Sequence, residues 1–83
     1  MKVLYFAWLR QKIGVGEESV EPPADVADVR GLVAWLKTRG AGYEQAFQDL
    51  GAIKLAVNQE YADLDHPVKA GDEVAFFPPV TGG

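Results

Sequence analysis

Lys2-Val3-Leu4-Tyr5-Phe6-Ala7-Trp8-Leu9 opens the chain with apolar residues on both alternating faces. Val3, Tyr5 and Ala7 fall on one side, and Leu4, Phe6 and Trp8 on the other. Its β-branched and aromatic types favour a strand. A half-exposed strand alternates with polar residues, so this one is expected to be central or to have its outer face covered by a partner. The run is too short to span a bilayer, and Arg10 and Lys12 follow it where a secretory leader would carry small residues. The expectation is a buried strand in a cytoplasmic protein.

Outward from this strand, Arg10 to Gly16 reads as a loop or a turn of helix. Glu17 to Glu21 reads as a second, more polar strand, hairpin-paired to the first and ended by Pro22-Pro23. Asp28 suits a helix N-cap, and Val29, Leu32, Val33 and Leu36 give an apolar stripe at i, i+3, i+4 and i+7. Gly40 suits the C-terminal cap. Gly31, unfavourable inside a helix by about 1 kcal/mol relative to Ala, suggests that the sheet approaches closely there. Tyr43, Ala46, Phe47 and Leu50 repeat the helical spacing up to Gly51.

Ile53, Leu55 and Val57 alternate as a strand with one buried face, Asn58-Gln59 makes a tight turn, and Tyr61 to Leu64 forms a short strand. Glu73 to Phe77 is the last strand. The order strand, strand, helix, short helix, strand, short strand, strand lets the long helix cross the sheet and bring the last strand beside the first. This is an α+β, β-grasp arrangement: a mixed sheet of about five strands with one main helix packed across it.

Eighty-three residues, 48% hydrophobic and 24% charged, fit one globular domain with one small core. The net charge of −4 argues against nucleic acid and against an anionic membrane surface. With no cysteine, the chain forms no disulfide or CxxC metal site, and carries no sulfur as a cysteine persulfide. His66 is the single histidine; with no second His or Cys to complete a ligand set, no metal site is expected.

The final strand leads into Pro78-Pro79-Val80-Thr81-Gly82-Gly83, and no charged side chain follows Glu73. Residues 1–77 are expected to form the β-grasp domain and residues 78–83 an extended, reactive tail. The prolines favour an extended path, and the glycines leave the backbone bare. Six such residues reach roughly 20 Å at about 3.3–3.6 Å each. The expected reactive group is the carboxylate of Gly83, with Gly82 giving backbone freedom beside it. A carboxylate is a poor acyl donor until adenylation supplies a leaving group that a sulfur nucleophile can displace. Phe76 and Phe77 lie on opposite faces of the last strand; an outward aromatic beside the tail would anchor a partner.

Val57-Asn58-Gln59, Asp65-His66-Pro67 and the run from Gly71-Asp72-Glu73 to Gly83, together with Val3-Leu4-Tyr5-Phe6-Ala7, resemble the small subunit of molybdopterin synthase, the MoaD family. The resemblance implies a ubiquitin-like sulfur carrier. In that family an adenylyltransferase similar to ubiquitin-activating enzymes uses ATP and magnesium to activate the terminal glycine. A sulfur donor then converts it to a thiocarboxylate. The tail enters the large subunit of the synthase, where two transfers to cyclic pyranopterin monophosphate build the molybdopterin dithiolene. The usual assembly is a heterotetramer. No cofactor is implied on the carrier itself, and the acid, base and nucleophile are expected on the large subunit. By this resemblance Phe77 is the partner anchor, with Pro78, Pro79, Val80 and Thr81 as the inserted segment. Three alternatives are a carrier for thiazole formation or tRNA thiolation, a ubiquitin-like modifier joined to lysines through Gly83, and a sheet-face adapter with an inert tail.

Overall fold

In the computed structural model, which describes residues 1–79, Ala7 ends the first strand earlier than its apolar run suggests. β1 spans Lys2–Tyr5, and Trp8–Ile13 turns into a helix, α1. Trp8 and Leu9 therefore belong to a helix and not to the expected strand. The reason is an amphipathic spacing hidden by the preceding strand: Leu9 is buried and Ile13, four residues on, packs against the core. Gly14 closes α1 in the left-handed conformation, its N–H donating to the Arg10 carbonyl at 2.8 Å.

β2 (Glu17–Ser19) pairs antiparallel with β1, as expected of the hairpin. The main helix, α2 (Val29–Lys37), begins at Asp28, whose carboxylate accepts from the Gly31 amide at 2.8 Å. Its next two free amides, Val29 and Arg30, donate to the carbonyls of His66 and Leu64, so the 64–66 loop completes the cap. Val29, Leu32, Val33 and Leu36 are all buried, as their spacing predicts.

Two glycine readings are corrected. The sheet does not crowd Gly31; a Cβ there would meet the Asp28 carboxylate at 3.3 Å and Val26 at 3.8 Å. Gly40 does not cap α2, which ends at Thr38; it precedes α3 (Ala41–Ala46) instead. The close approach is at Gly42 in α3, where a Cβ would overlap the carbonyl oxygen of Lys12 on α1.

A 3₁₀ turn at Leu50–Ala52 leads to β3 (Lys54–Val57), β4 (Glu60–Ala62) and β5 (Glu73–Phe77). The sheet order is β2-β1-β5-β3-β4. β5 is the middle strand, parallel to β1 and antiparallel to β3, as the helical crossover predicts. Val3, Tyr5, Leu55, Val57, Val74 and Phe76 point inward to the helices. Phe47 from the end of α3 meets Phe76 edge-on at 5.0 Å, and Tyr5 stacks on Phe76 at 6.3 Å. Trp8 and Trp35 are partly buried against the same core. This is an α+β, ubiquitin-like β-grasp fold.

Beside that core lies a polar cluster. Glu18 on β2 accepts hydrogen bonds from the hydroxyls of Tyr5 and Tyr43, each at 2.8 Å, and from Arg39 at 3.0 Å. Arg39 also lies over the rings of Trp35 and Tyr43. Burial alone would raise the Glu18 carboxyl, but the hydrogen bonds from Tyr43, Tyr5 and Arg39 outweigh it and hold it below the usual range.

Candidate functional site: the open sheet face and the root of the tail

The even positions of β1 and the odd positions of β5 face away from the helices. Leu4 stands beside Ala75, Ala75 beside Ala56, and Ala56 beside Tyr61, so one row crosses four strands. On the tail side of this row, Phe77 stands opposite Lys54. Phe6 extends the β1 edge there, its amide donating to the Phe76 carbonyl at 3.1 Å. Tyr61 and Phe77 meet edge to face at 5.9 Å across β3. Phe6 is 47% exposed and Tyr61 81% exposed, and each carries a ring that a core would normally cover. The doubly apolar pattern of Lys2–Leu9 thus reflects an open outer face at Leu4 and Phe6.

The parity left open in the sequence is resolved by burial. Phe76 is fully buried and Phe77 half-buried on the outer face. Pro78 is half-buried and Pro79 exposed. Val80, Thr81, Gly82 and Gly83, the remaining expected site residues, lie outside the described residues. Phe6 and Tyr61 were not singled out in the sequence. Phe6 shares the parity of Leu4, which was the available signal, whereas nothing in the short β4 segment distinguishes Tyr61.

Rigidity at the tail root comes from β5 and its two neighbours. The turn that feeds β5 is also locked: the Asp72 carboxylate accepts from the Asn58 side-chain amide at 3.1 Å and from the Lys69 backbone amide at 2.9 Å. These bonds, Asn58 first, hold the Asp72 carboxyl below its usual range. Asn58 in turn accepts from the Glu73 amide at 3.0 Å. At the tail end of the face, just past Phe6, Ala7 has φ 56° and ψ −131°. That backbone is unfavourable for a residue with a Cβ, by about 1–3 kcal/mol. It lets β1 present Phe6 outward and start α1 at once.

Among the described residues there is no cluster of three or more His, Asp or Glu able to hold a metal. His66 is exposed, with Nδ1 2.8 Å from its neighbour's carbonyl at Pro67. Asp65 is engaged by Arg30 at 3.1 Å, and Asp63 accepts from the Asp65 amide. No helix among these residues is long and apolar enough to cross a membrane. The described part of the site is an open face with exposed aromatic rings, with β5 leading into Pro78 and Pro79.

The ThiS family profile matches residues 3–83. The Escherichia coli molybdopterin synthase sulfur carrier subunit is 42% identical over 83 residues, which cover 100% of this chain and 99% of that relative. The chain belongs to the ThiS family, among the molybdopterin synthase sulfur carrier subunits. Solved structures agree in fold. The H. volcanii small archaeal modifier protein 1 is 30% identical with a TM-score of 0.73, over 96% of this chain and 97% of that one. A protein–protein complex of subunits 1 and 2 of molybdopterin-converting factor from Helicobacter pylori contains a chain 26% identical, with a TM-score of 0.65 over 99% of this chain and 96% of that one.

Proposed function

We propose that this protein is the sulfur carrier subunit of a cytoplasmic molybdopterin synthase and that Gly83 carries the sulfur. The observation that carries the reading is the placement of Phe77 and Pro78: the motif-bearing end of the chain leaves the middle strand beside an open face with exposed aromatics. Full-length similarity to sulfur carrier subunits supports the same reading, as does the cysteine-free composition, which leaves no thiol to hold sulfur.

The chemistry runs through an acyl adenylate. A carboxylate oxygen of Gly83 attacks the α-phosphorus of ATP, bound with magnesium on an activating enzyme related to ubiquitin-activating enzymes, and pyrophosphate leaves. Hydrosulfide, HS−, freed from a donor protein's persulfide by a thiol reductant, attacks the acyl carbon and expels AMP, and loss of the S–H proton leaves the acid as its sulfur anion. The resulting thiocarboxylate is anionic and polarizable, suited to attack on carbon. The tail, residues 78–83, then enters the large subunit of the synthase, where the sulfur displaces an oxygen substituent from a carbon of cyclic pyranopterin monophosphate, and water cleaves the acyl–sulfur bond to return Gly83 to a carboxylate. Two carrier chains and two large subunits would form the assembly. The open face, with Phe77, Phe6 and Tyr61, docks on the large subunit while Pro78, Pro79, Val80 and Thr81 thread inward.

Because the last two residues must enter both an activating and a transferring site, a side chain at Gly83 should obstruct one or both. Gly83→Val is expected to fold as the wild type does and to yield no molybdopterin in a reconstituted synthase. Product formed at the wild-type rate would overturn the role given to the tail. A modifier reading predicts a different product, an amide between Gly83 and a lysine ε-amine. Peptide mass spectrometry distinguishes it from a thiocarboxylate.

A further inference from the structure

The open face is apolar across its centre and charged at its ends, and at the tail end it carries an ammonium, Lys54, next to Phe77, with the exposed Asp63 beyond β4 on its other side. At the far end Lys2 is paired with Glu17 at 3.1 Å and stands beside Glu73. At the tail end the strand positions run Phe6, Phe77, Lys54, with Lys54 directly opposite Phe77 in the β3–β5 register. Lys54 is exposed and, like Arg10, Lys12, Lys37 and Lys69, makes no ion pair among the described residues; what sets it apart is its place opposite Phe77. An ammonium thus sits one strand away from the residue that roots the tail, in a protein of net charge −4.

Any partner that covers Phe77 must also reckon with this ammonium. An apolar surface laid over the row would strip water from it without compensation, which is strongly unfavourable. A carboxylate placed against Lys54 removes that cost and fixes the lateral register of the docked sheet. The aliphatic stem of the lysine can meanwhile continue the apolar contact begun by Phe77.

Building on the sulfur-carrier reading, we infer that Lys54 is a specificity determinant of the docking face, taking a carboxylate from the large subunit at the point where the tail enters it. A partner presenting a basic or wholly apolar rim at that point is rejected, since discrimination rests on unfavourable pairings as much as on favourable ones.

The test measures the dissociation constant of the full-length chain for its large subunit by titration calorimetry, at low and at raised salt. Lys54→Met keeps the stem and removes the charge, and Lys54→Glu reverses it. Lys54→Glu is expected to weaken binding by more than about tenfold at low salt and Lys54→Met by about threefold to tenfold. The gap between them should narrow as salt rises. Phe77→Ala serves as the reference for docking through this face. If both Lys54 variants bind as the wild type does while Phe77→Ala weakens binding, the docking reading stands and the role of Lys54 is wrong. If Phe77→Ala is also without effect, the face is not the docking surface and both readings fall. Equal, salt-independent losses for Met and Glu would trace the effect to the stem and overturn the carboxylate pairing.

Discussion

Asn58 and Gln59 turn the chain between β3 and β4 with φ of 51° and 70°, so both residues occupy the left-handed region. Asn58 tolerates it well and earns a second use by linking Asp72 to the Glu73 amide. Gln59 has neither advantage. Gln59→Gly creates the favoured Asn-Gly turn, and after allowing for the greater freedom of glycine in the unfolded chain it should stabilise the protein by about 0.5–1 kcal/mol. Urea denaturation checks this, and a loss of stability would contradict the turn geometry. The tight turn was legible in the sequence because two polar residues separate alternating apolar runs. The left-handed pair was not, since glutamine carries no signal for it. Phe77 was legible in the same partial way: alternation put Phe76 and Phe77 on opposite faces, but only the pairing with β1 and β3 says which face is inside. Tyr61 is visible as a surface ring only once β4 is placed at the sheet edge.

Between elements, Glu18 ties the edge strand β2 to Tyr5 on β1, to Tyr43 on α3 and to Arg39 just beyond α2. Its folded pKa lies below the ordinary 4.5, so its stabilisation is full at neutral pH and is lost as pH falls from about that value through the folded pKa. Burial, and then the hydrogen bond to Glu18, hold the Tyr5 phenol well above its ordinary 10.0, so the stabilisation from the neutral phenol is full below about pH 10 and is lost at higher pH. Glu18→Ala should therefore destabilise by about 1–3 kcal/mol at neutral pH, mainly by orphaning the buried Tyr5 hydroxyl. The difference from wild type should shrink below about pH 4. Denaturation at pH 7 and pH 3 checks both statements, and an undiminished difference in acid would contradict the charged form of Glu18. This cluster was not legible in the sequence, because its four members come from separate segments and none has an unusual neighbour along the chain. α2 was legible, since its cap and stripe are local. α1 was not: Trp8 and Leu9 continue an apolar strand without a break, and the reversal occurs at Ala7, a residue with no turn propensity. Gly42 was likewise silent, its role set by the Lys12 carbonyl of another helix.

At the scale of the whole molecule, the described residues form a five-stranded sheet with helices on one face, exposed aromatic side chains on the other, and Pro78 and Pro79 following the middle strand. The element order alone implied this architecture, because a helix crossing between a hairpin and later strands leaves few ways to pair the last strand. The chemistry proposed for the final residues rests on composition and on their local motif, and residues 80–83 lie outside the described structure. The open outer face was only hinted at by the doubly apolar first strand; its extent depends on strand neighbours far apart in sequence. Whether Gly83 carries sulfur is read from the intact mass of the protein. The chain is incubated with an activating enzyme, ATP, magnesium and a sulfur source that together thiolate a known carrier. The account predicts a mass increase equal to one sulfur in place of one oxygen, mapped to Gly83 and erased when the large subunit and the pterin precursor are added. An unchanged mass under those conditions, with the control carrier fully converted, would contradict it.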